Sequence, residues 1–228
     1  MHTESPPMEK SLSDWQGRLI AIASAGGQDD SAHDLSHLTR VWAAASQMLA
    51  AHPEADALVV MSACYLHDLV NLPKNHPDRA RASTMAASQA VQALAADGFP
   101  QDRLAAVAHA IAAHSFSAGI APMTIEARIV QDADRLDALG PVGLARMFHI
   151  GGMLGRALAH PHDPLSRHRT LDDGQYTLDH IETKLVHLPD TMQTDIGRRI
   201  GLDRVAWLRQ FREAFISQWT GAEQLPTS

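Results

Sequence analysis

The sequence predicts an all-α fold, and three observations lead to this prediction. Hydrophobic residues make up 45% of the 228 residues, so the chain can bury a core, whereas aromatic residues make up only 5%. Apolar residues recur at helical spacing through most of the chain. No run of alternating β-branched residues reaches the length of a strand. We therefore expect a single domain over residues 1–228, with a helical core at about 13–150 and a C-terminal helical extension at about 155–222.

The first two helices are bounded by glycines and by capping residues. An amphipathic stretch at about 13–25 stops at Gly26-Gly27. The side chains of Asp29-Asp30-Ser31 can then cap a second helix at about 32–51, because short polar side chains accept hydrogen bonds from the first turn.

The third predicted helix, at about 54–70, is apolar nearly all round. Such a helix is buried on several sides, so we place it at the centre of the fold. A loop at 71–77 follows it. Glycines and polar turn residues interrupt the helical pattern between Gly140 and about residue 175. The remaining predicted helices lie at about 78–97, 101–114, 124–139, 175–188 and 203–219.

Charge and cysteine content exclude several classes of protein. The chain carries 19 Lys and Arg against 26 Asp and Glu, a formal net charge of −7, which argues against duplex DNA or an anionic membrane as the main partner. Its one cysteine, Cys64, excludes a disulfide framework and a cysteine-based zinc site. Residues 1–10 have no apolar signal-peptide core, and the richest apolar stretch, 55–66, is too short to cross a bilayer. We expect a soluble, cytoplasmic protein.

His33, His37 and Arg40 lie along one edge of the second predicted helix. The two histidines are four residues apart and share a helix face, beside an apolar stripe that runs through Leu38 and Trp42. Polar side chains at the border of an apolar stripe can line a cleft, where histidines serve as metal ligands. The alternative, that they are partly solvated boundary residues, stays open at this point.

The dipeptide His67-Asp68 lies at the end of the apolar third helix. Burying an ionised carboxylate is costly unless a partner compensates its charge, and a metal ion held by both side chains would do so. The alternative is a helix end that emerges into solvent before Asn71. The residues themselves leave both interpretations open.

Asp132, Asp134 and Asp137 lie in a predicted helix that is otherwise largely apolar. On a helical wheel Asp137 falls inside the apolar stripe, with Asp134 on one flank and Asp132 on the other. At least one of these carboxylates therefore faces the core, which a solvated acidic face does not explain. The wheel does not decide whether Asp134 or Asp137 is a metal ligand.

The other polar candidates give weaker signals. His109 and His114 are five residues apart in an alanine-rich helix, which is typical of hydrogen-bonded core histidines. No glycine-rich phosphate loop is present. The basic residues are scattered and individually typical of solvated positions: Lys74, Arg79, Arg81, Arg135 and Arg146.

The order of these short motifs resembles a known family. His33-Asp34 and His37 come first, followed by His67-Asp68, the stretch from His109 to His114, and the aspartate of Ala133-Asp134-Arg135-Leu136. Together they resemble the HD-domain metal-dependent phosphohydrolases, close to the YedJ-like branch of predicted bacterial hydrolases. Each motif is weak by itself, but their order and spacing are specific, and the resemblance covers nearly the whole chain.

The resemblance implies a single helical HD fold, a metal site and roles for individual residues. Nitrogen and oxygen donors without a thiolate suit Mn²⁺, Mg²⁺, Fe²⁺, Co²⁺ or Ni²⁺. The implied metal ligands are His37, His67, Asp68 and Asp134, which selects Asp134 over Asp137. The implied catalytic residues are Asp68, His33 and Lys74, and the residues implied to bind the substrate are Lys74, His114 and Arg146.

The implied activity is hydrolysis of a phosphomonoester or phosphoanhydride bond in a small phosphorylated molecule by a metal-activated water, with a nucleotide as the favoured substrate. Two other functions stay open. One is a catalytically idle module that binds a metal or nucleotide and regulates a partner. The other is a two-metal iron oxygenase, which would need His109 and His114 to converge on Asp68.

Asn71 departs from the family's pattern, in which many members have an acidic residue three positions after the HD aspartate, a plausible general acid. Protonation of the leaving group then falls to another residue, or is unnecessary for a pyrophosphate leaving group. Residues 165–184 are candidates either for a cap over the site or for a homodimer contact.

Overall fold

The chain folds into helices, which confirms the all-α prediction. The computed structural model describes residues 11–25, 35–72 and 76–221. None of these residues lies in a sheet, although Ala157 and Tyr176 form an isolated parallel bridge. The helices of the described ranges are α1 (Leu12–Ala25), α2 (Leu35–Leu49), α3 (Ala57–Leu66), α4 (Ala82–Ala96), α5 (Leu104–His114), α6 (Ile125–Asp137), α7 (Gly140–Met153), α8 (Asp179–Thr183) and α9 (Asp195–Trp219). Short 3-10 turns lie at Arg79–Arg81, Gln101–Arg103, Phe116–Ala118 and Leu185–Thr191.

Two compact units make up the chain, Met1–Val130 and Gln131–Ser228, and the division falls inside α6. The predicted single domain, with a core at about 13–150 and an extension at about 155–222, stays a prediction. Across the described ranges, no helix has both the length and the apolar character needed to span a bilayer.

Helix α3 is the centre of the first unit, as its uniformly apolar sequence predicts. It packs against α1, α2 and α5, and α4 packs against α5. Every residue at positions 58–66 is buried. Asp56 caps α3 by accepting hydrogen bonds from the backbone N–H groups of Leu58 and Val59, a contribution of about 1 kcal/mol. The Nε of Arg103 donates to the same carboxylate at 2.6 Å, so the start of α3 is held from two directions.

Helix α3 ends at Leu66, four residues before its predicted end. In a continuing α-helix the carbonyl of Cys64 would accept from the N–H of Asp68. Here the Nδ1 of His67 lies 2.9 Å from that oxygen, and residues 67–70 form turns and bends. A side chain that bonds the backbone competes with helix continuation, so His67 and Asp68 lie at the turn that closes the buried helix.

The glycine-rich segment after Gly140 is a helix, α7, which the glycines conceal in the sequence. Pro141 suits its first turn, where no backbone donor is needed. A Cβ added at Gly143 would lie 2.2 Å from the carbonyl carbon and oxygen of Ala138, and one at Gly151 would lie 2.3 Å from the Oγ1 of Thr177. These close approaches require glycine, so packing in the second unit outweighs its low helix propensity.

Helix α9 begins at Asp195, about two turns before its predicted start. Thr194 caps it by accepting a hydrogen bond from the N–H of Gly197. The buried carboxylate of Asp132 accepts from the backbone N–H groups of Gln193 and Thr194 and from the Thr194 hydroxyl, each at 2.8 Å. Asp132 of α6 therefore fixes the start of α9.

Tryptophans lie in both units, in different surroundings. In the first unit Trp15 is buried and packs edge-on against Phe99, with ring centroids 4.9 Å apart. In the second unit aromatic side chains recur every four residues along one face of α9. They are Trp207, Phe211, Phe215 and Trp219, of which both tryptophans are exposed.

The predicted helix at about 175–188 is instead the short α8, followed by a 3-10 turn that contains Pro189. Arg169 fixes the start of α8 through two hydrogen bonds to the buried carboxylate of Asp179, at 2.5 and 2.8 Å. The backbone N–H of Asp172 donates to the same carboxylate at 2.8 Å.

Candidate metal centre

His67 begins the candidate site at the closed end of α3, where it is 1% exposed. A carbonyl oxygen only accepts hydrogen bonds, so the Nδ1 that lies 2.9 Å from the Cys64 oxygen carries the ring hydrogen. In the neutral imidazole this leaves a lone pair on Nε2. Metal-binding histidines are commonly oriented in this way, with the other ring nitrogen bonded to a backbone carbonyl.

The Nε2 of His67 faces two other potential ligands. The Nε2 of His37, which α2 contributes, lies 3.3 Å away, and the Oδ2 of Asp68 lies 3.6 Å away. That carboxylate oxygen is also 3.8 Å from the Nε2 of His37. Three ligand atoms from α2 and the end of α3 therefore converge on one small region. His37 is as buried as His67, at 1% exposure.

His114, the last residue of α5, completes this group from another direction. Its Nδ1 lies 2.6 Å from the carbonyl oxygen of Ile111, so its ring is oriented in the same way as that of His67. Its Nε2 lies 3.9 Å from the Oδ1 of Asp68, and ligand atoms of His67, Asp68 and His114 all lie within 4.8 Å of one another. We refer to His37, His67, Asp68 and His114 as the histidine–aspartate cluster.

The chemistry of the histidine–aspartate cluster fits a divalent cation. It offers imidazole nitrogens and one carboxylate, a donor set that suits the transition metals named above. The Asp68 side chain is 17% exposed and the imidazoles are buried, so the group lies at the edge of the core rather than in open solvent. With neutral imidazoles the cluster carries a net charge of −1, which a divalent cation more than compensates. A divalent metal ion is accordingly the cofactor of this protein.

Asp134 and Asp137 have different surroundings on α6. Asp137 is buried, and its Oδ2 accepts from the Nη1 of Arg146 at 2.5 Å. That ion pair accounts for the acidic residue inside the apolar stripe. Asp134 is half-buried, in the part of α6 that belongs to the second unit. Its assignment as a metal ligand stays a prediction.

Two of the predicted catalytic and substrate-binding residues, His33 and Lys74, lie outside the described residues. Arg146 is described, and its guanidinium contacts Asp137 in the second unit, so its role toward a substrate also stays a prediction.

Asp132, which the helical wheel placed on a flank of the apolar stripe, is fully buried against the start of α9. Burial raises the pKa of its carboxyl, and the hydrogen bonds from Gln193 and Thr194 act in the opposite direction.

His109 does not join the histidine–aspartate cluster. Its Nε2 accepts a hydrogen bond from the backbone N–H of Met123 at 3.0 Å, as expected of a hydrogen-bonded histidine, but the residue is half-buried and lies outside the core. His114, for which the same role was expected, instead reaches Asp68. Of the two histidines that a two-metal oxygenase would bring to Asp68, one lies there.

One contact near the site could not be anticipated from the sequence. The Nη1 of Arg79 donates to the Oδ1 of Asn71 at 2.9 Å and to the carbonyl oxygen of Leu72. Arg79 follows Asn71 by eight residues, across a loop whose course no spacing rule predicts. The residue that replaces the family's acidic group thus accepts a hydrogen bond from an arginine.

Comparison with known proteins places these observations in a family context. The HD domain family model matches residues 34–139. An uncharacterised protein of Bacillus subtilis, YpgQ, is 33% identical over 187 residues, which cover 80% of this chain and 82% of YpgQ. The crystal structure of B. subtilis YpgQ in complex with ADP superposes with a TM-score of 0.68 at 29% identity, covering 90% of this chain and 100% of that one. An HD-superfamily hydrolase from Bacillus thuringiensis gives a TM-score of 0.70 at 27% identity, with 92% and 99% covered.

Proposed function

Because this chain belongs to the HD-domain family of metal-dependent hydrolases, we propose that it hydrolyses a phosphoanhydride or phosphomonoester bond of a nucleotide. The proposal rests on one observation above all. The histidine–aspartate cluster gathers imidazole nitrogens and a carboxylate in one place, and two of its rings are held by backbone carbonyls so that Nε2 faces the carboxylate. Few arrangements other than a metal site need buried donors oriented in this way.

The ligand set that we propose is His37, His67, Asp68 and Asp134. A divalent metal held there would supply a nucleophilic water at neutral pH and a positive charge beside the phosphate. His67 and His114 keep fixed orientations through their bonds to Cys64 and Ile111, so neither needs to reorganise during the reaction. In the proposal His33, Lys74, His114 and Arg146 assist by phosphate binding or proton transfer.

Asn71 favours cleavage of an anhydride over cleavage of a simple ester. An amide cannot donate a proton to a leaving group as a carboxylic acid can. A pyrophosphate or phosphate leaving group needs little protonation, whereas an alkoxide leaving group needs it strongly. The Asn71 side-chain oxygen accepts a hydrogen bond from Arg79, so this side chain binds a neighbouring residue and does not serve as a general acid. The ADP bound to B. subtilis YpgQ supports a nucleotide as the substrate.

The test combines metal analysis with a substrate screen. The protein is purified without added metal, bound metals are quantified per chain, and nucleotides and sugar phosphates are assayed with Mn²⁺, Mg²⁺, Co²⁺ and Ni²⁺. We expect release of phosphate or pyrophosphate from a nucleotide that disappears in the Asp68→Ala variant. Asp102→Ala, which alters an exposed aspartate in the 3-10 turn before α5, is the matched control and should leave turnover unchanged.

Two outcomes of this experiment would favour the other functions. Bound metal without turnover across the panel would support a regulatory module, which the amide at Asn71 also permits. Two iron atoms per chain would support an oxygenase. A single metal per chain together with Asp68-dependent turnover would contradict both.

Assembly and location complete the proposal. We propose that the protein is cytoplasmic, binds no duplex DNA and no membrane, and forms a homodimer if residues 165–184 serve as a dimer contact rather than as a cap over the site. For the homodimer, sedimentation analysis at micromolar concentration should give twice the 24.7 kDa mass of one chain. A monomer at the concentration at which the enzyme is active would contradict the dimer.

A further inference from the structure

Among the described residues of the first unit, Arg79 is half-buried without a carboxylate partner, unlike Arg18 and Arg103. Its recorded partners, the Asn71 side-chain oxygen and the Leu72 carbonyl, are both neutral. It is half-buried, and within the described ranges it forms no ion pair with a carboxylate. Arg18 and Arg103, in contrast, pair with aspartates at 2.7 and 2.6 Å.

A guanidinium held by neutral acceptors keeps its positive charge available. Only Nη1 of Arg79 is engaged, so the Nη2 and Nε hydrogens remain to bind a second group. Guanidinium binds phosphate in a two-point geometry that lysine cannot reproduce. The contact to Asn71 also ties Arg79 to the loop that directly follows His67-Asp68.

Phe116 is the most exposed large apolar side chain among the described residues, at 81%. It follows His114 by two residues, and Ser115 between them is extended. Two extended residues span at most about 7 Å, so the backbone of Phe116 lies close to that of a histidine–aspartate cluster member. An aromatic ring in this position is available to stack on a flat ligand.

The two residues belong to neighbouring turns of the first unit. The 3-10 turn Arg79–Arg81 packs against the 3-10 turn Phe116–Ala118. One turn follows the loop after Asp68, and the other follows His114. A cation for phosphate and an aromatic surface thus lie on adjacent turns whose chains both lead to the histidine–aspartate cluster.

We propose that Arg79 binds a phosphate group of the substrate and that Phe116 stacks on its base, so that these two residues select a nucleoside phosphate over a phosphate without a base. This inference rests on the proposed nucleotide hydrolysis. It assigns one residue to each part of the substrate, with Arg79 for the phosphate and Phe116 for the base.

The role of Phe116 is tested by comparing ATP with inorganic tripolyphosphate, which has the same anhydride bonds but no base. We expect Phe116→Ala to lower the ratio of kcat/KM for ATP to that for tripolyphosphate about tenfold, because stacking of one base is worth roughly this factor. Phe116→Trp should keep the ratio within about twofold of the original protein. Met123→Ala, which removes another strongly exposed apolar side chain of this unit, should not alter the ratio. An unchanged ratio in Phe116→Ala would overturn the assignment.

The role of Arg79 is tested with a matched neighbour. Arg79→Gln should raise KM about tenfold or more for both ATP and tripolyphosphate, because both carry the phosphate that the guanidinium binds. Arg81→Gln changes an arginine in the same turn that is strongly exposed and paired with Asp78, and should leave both KM values unchanged. Bound metal per chain, measured for each variant, shows whether the metal site is intact. Equal effects of the two substitutions would overturn the role of Arg79.

Direct binding separates a failure of this inference from a failure of the proposed function. Calorimetric titration with a methylene-bridged, non-hydrolysable ATP analogue reports binding without turnover. Binding that weakens in Arg79→Gln and Phe116→Ala, in a protein that hydrolyses no nucleotide, would support this inference and contradict the proposed activity. Hydrolysis of ATP that neither substitution affects would support the activity and overturn the inference. Absence of both binding and hydrolysis would overturn both.

Discussion

The Nδ1 of His67 bonds the carbonyl oxygen of Cys64, three residues earlier in the chain, at 2.9 Å. This one contact does two things. It gives a carbonyl oxygen at the end of α3 a hydrogen-bond donor, and it leaves the Nε2 lone pair of the neutral ring directed toward His37 and Asp68. The residue that closes the buried helix is therefore also the residue best oriented to hold a metal.

Removal of the His67 ring should abolish metal binding without unfolding the chain. In His67→Ala we expect metal affinity to fall by more than about 100-fold, since even the loss of a supporting residue around a metal costs 10- to 100-fold. The circular dichroism of the helices should persist, because His67 lies after the last residue of α3. Equilibrium dialysis measures the affinity. His52→Ala, which alters a histidine paired with Glu54 at 3.1 Å, is the control, and equal metal content in both variants would contradict the assignment.

Two glycines of α7 should respond oppositely to the same substitution. Gly143→Ala forces a Cβ against the Ala138 carbonyl and should lower the free energy of unfolding by about 1–3 kcal/mol. Gly152→Ala meets no atom within 4 Å and should raise it by up to about 1 kcal/mol, because alanine favours the helix. Urea denaturation measures both values. A stable Gly143→Ala variant would contradict the close approach.

The effects on stability of replacing Arg169 and Asp179, which form a buried ion pair, should be coupled. Arg169→Met leaves the Asp179 carboxylate buried without its cation, and we expect a loss of about 3–5 kcal/mol. Asp179→Leu should also be destabilising, because it removes the carboxylate partner of the guanidinium and leaves the Asp172 N–H without its acceptor. The double variant should cost clearly less than the sum of the two. A double-mutant cycle by urea denaturation measures the difference, and strict additivity would contradict the prediction.

The contact between Asp173 and His180 should make stability depend on pH. His180 lies 2.6 Å from the Asp173 carboxylate, and this hydrogen bond lowers the pKa of Asp173 below its ordinary value. The folded state therefore binds the proton less tightly than the unfolded state, so the contribution to stability is present above a pH of about 4 and is lost as the pH falls through the lowered pKa. Asp173→Asn should lower Tm at pH 6 only slightly, because the pair is partly exposed, and this difference should shrink as the pH falls below about 4. Persistence of the Asp173→Asn difference in a His180→Phe background would contradict this cause.

The central elements of the fold could be predicted from the sequence because their patterns are strong. The uniformly apolar stretch before His67 indicates a buried helix, and α3 is one. Helix α7 could not be predicted, because its glycines disfavour a helix and are required only by packing against Ala138 and Thr177. That requirement arises from contacts between segments, and the spacing of apolar residues along the sequence does not reveal such contacts.

The candidate site divides in a similar way. Their position at the end of an apolar helix makes His67 and Asp68 candidates, but the local sequence leaves their role open, and it is the family resemblance that implies them as ligands. His114 lies 47 residues after His67, so its approach to Asp68 is a property of how α5 packs on α3. The helical wheel could not choose between Asp134 and Asp137, because it shows which face a carboxylate occupies and not that Arg146 is paired with Asp137. Local patterns thus indicate candidates for a site, and tertiary contacts supply the others.

The distribution of tryptophans gives the two units different optical signals. In the first unit Trp15 is buried against Phe99 and Trp42 of α2 is half-buried, whereas Trp207 and Trp219 are exposed on α9 in the second unit. Indole emission shifts to longer wavelength when the ring enters water, so loss of the core around Trp15 produces a red shift that unfolding of α9 produces only weakly. Intrinsic fluorescence of this protein therefore follows the unit that carries the histidine–aspartate cluster, without any label.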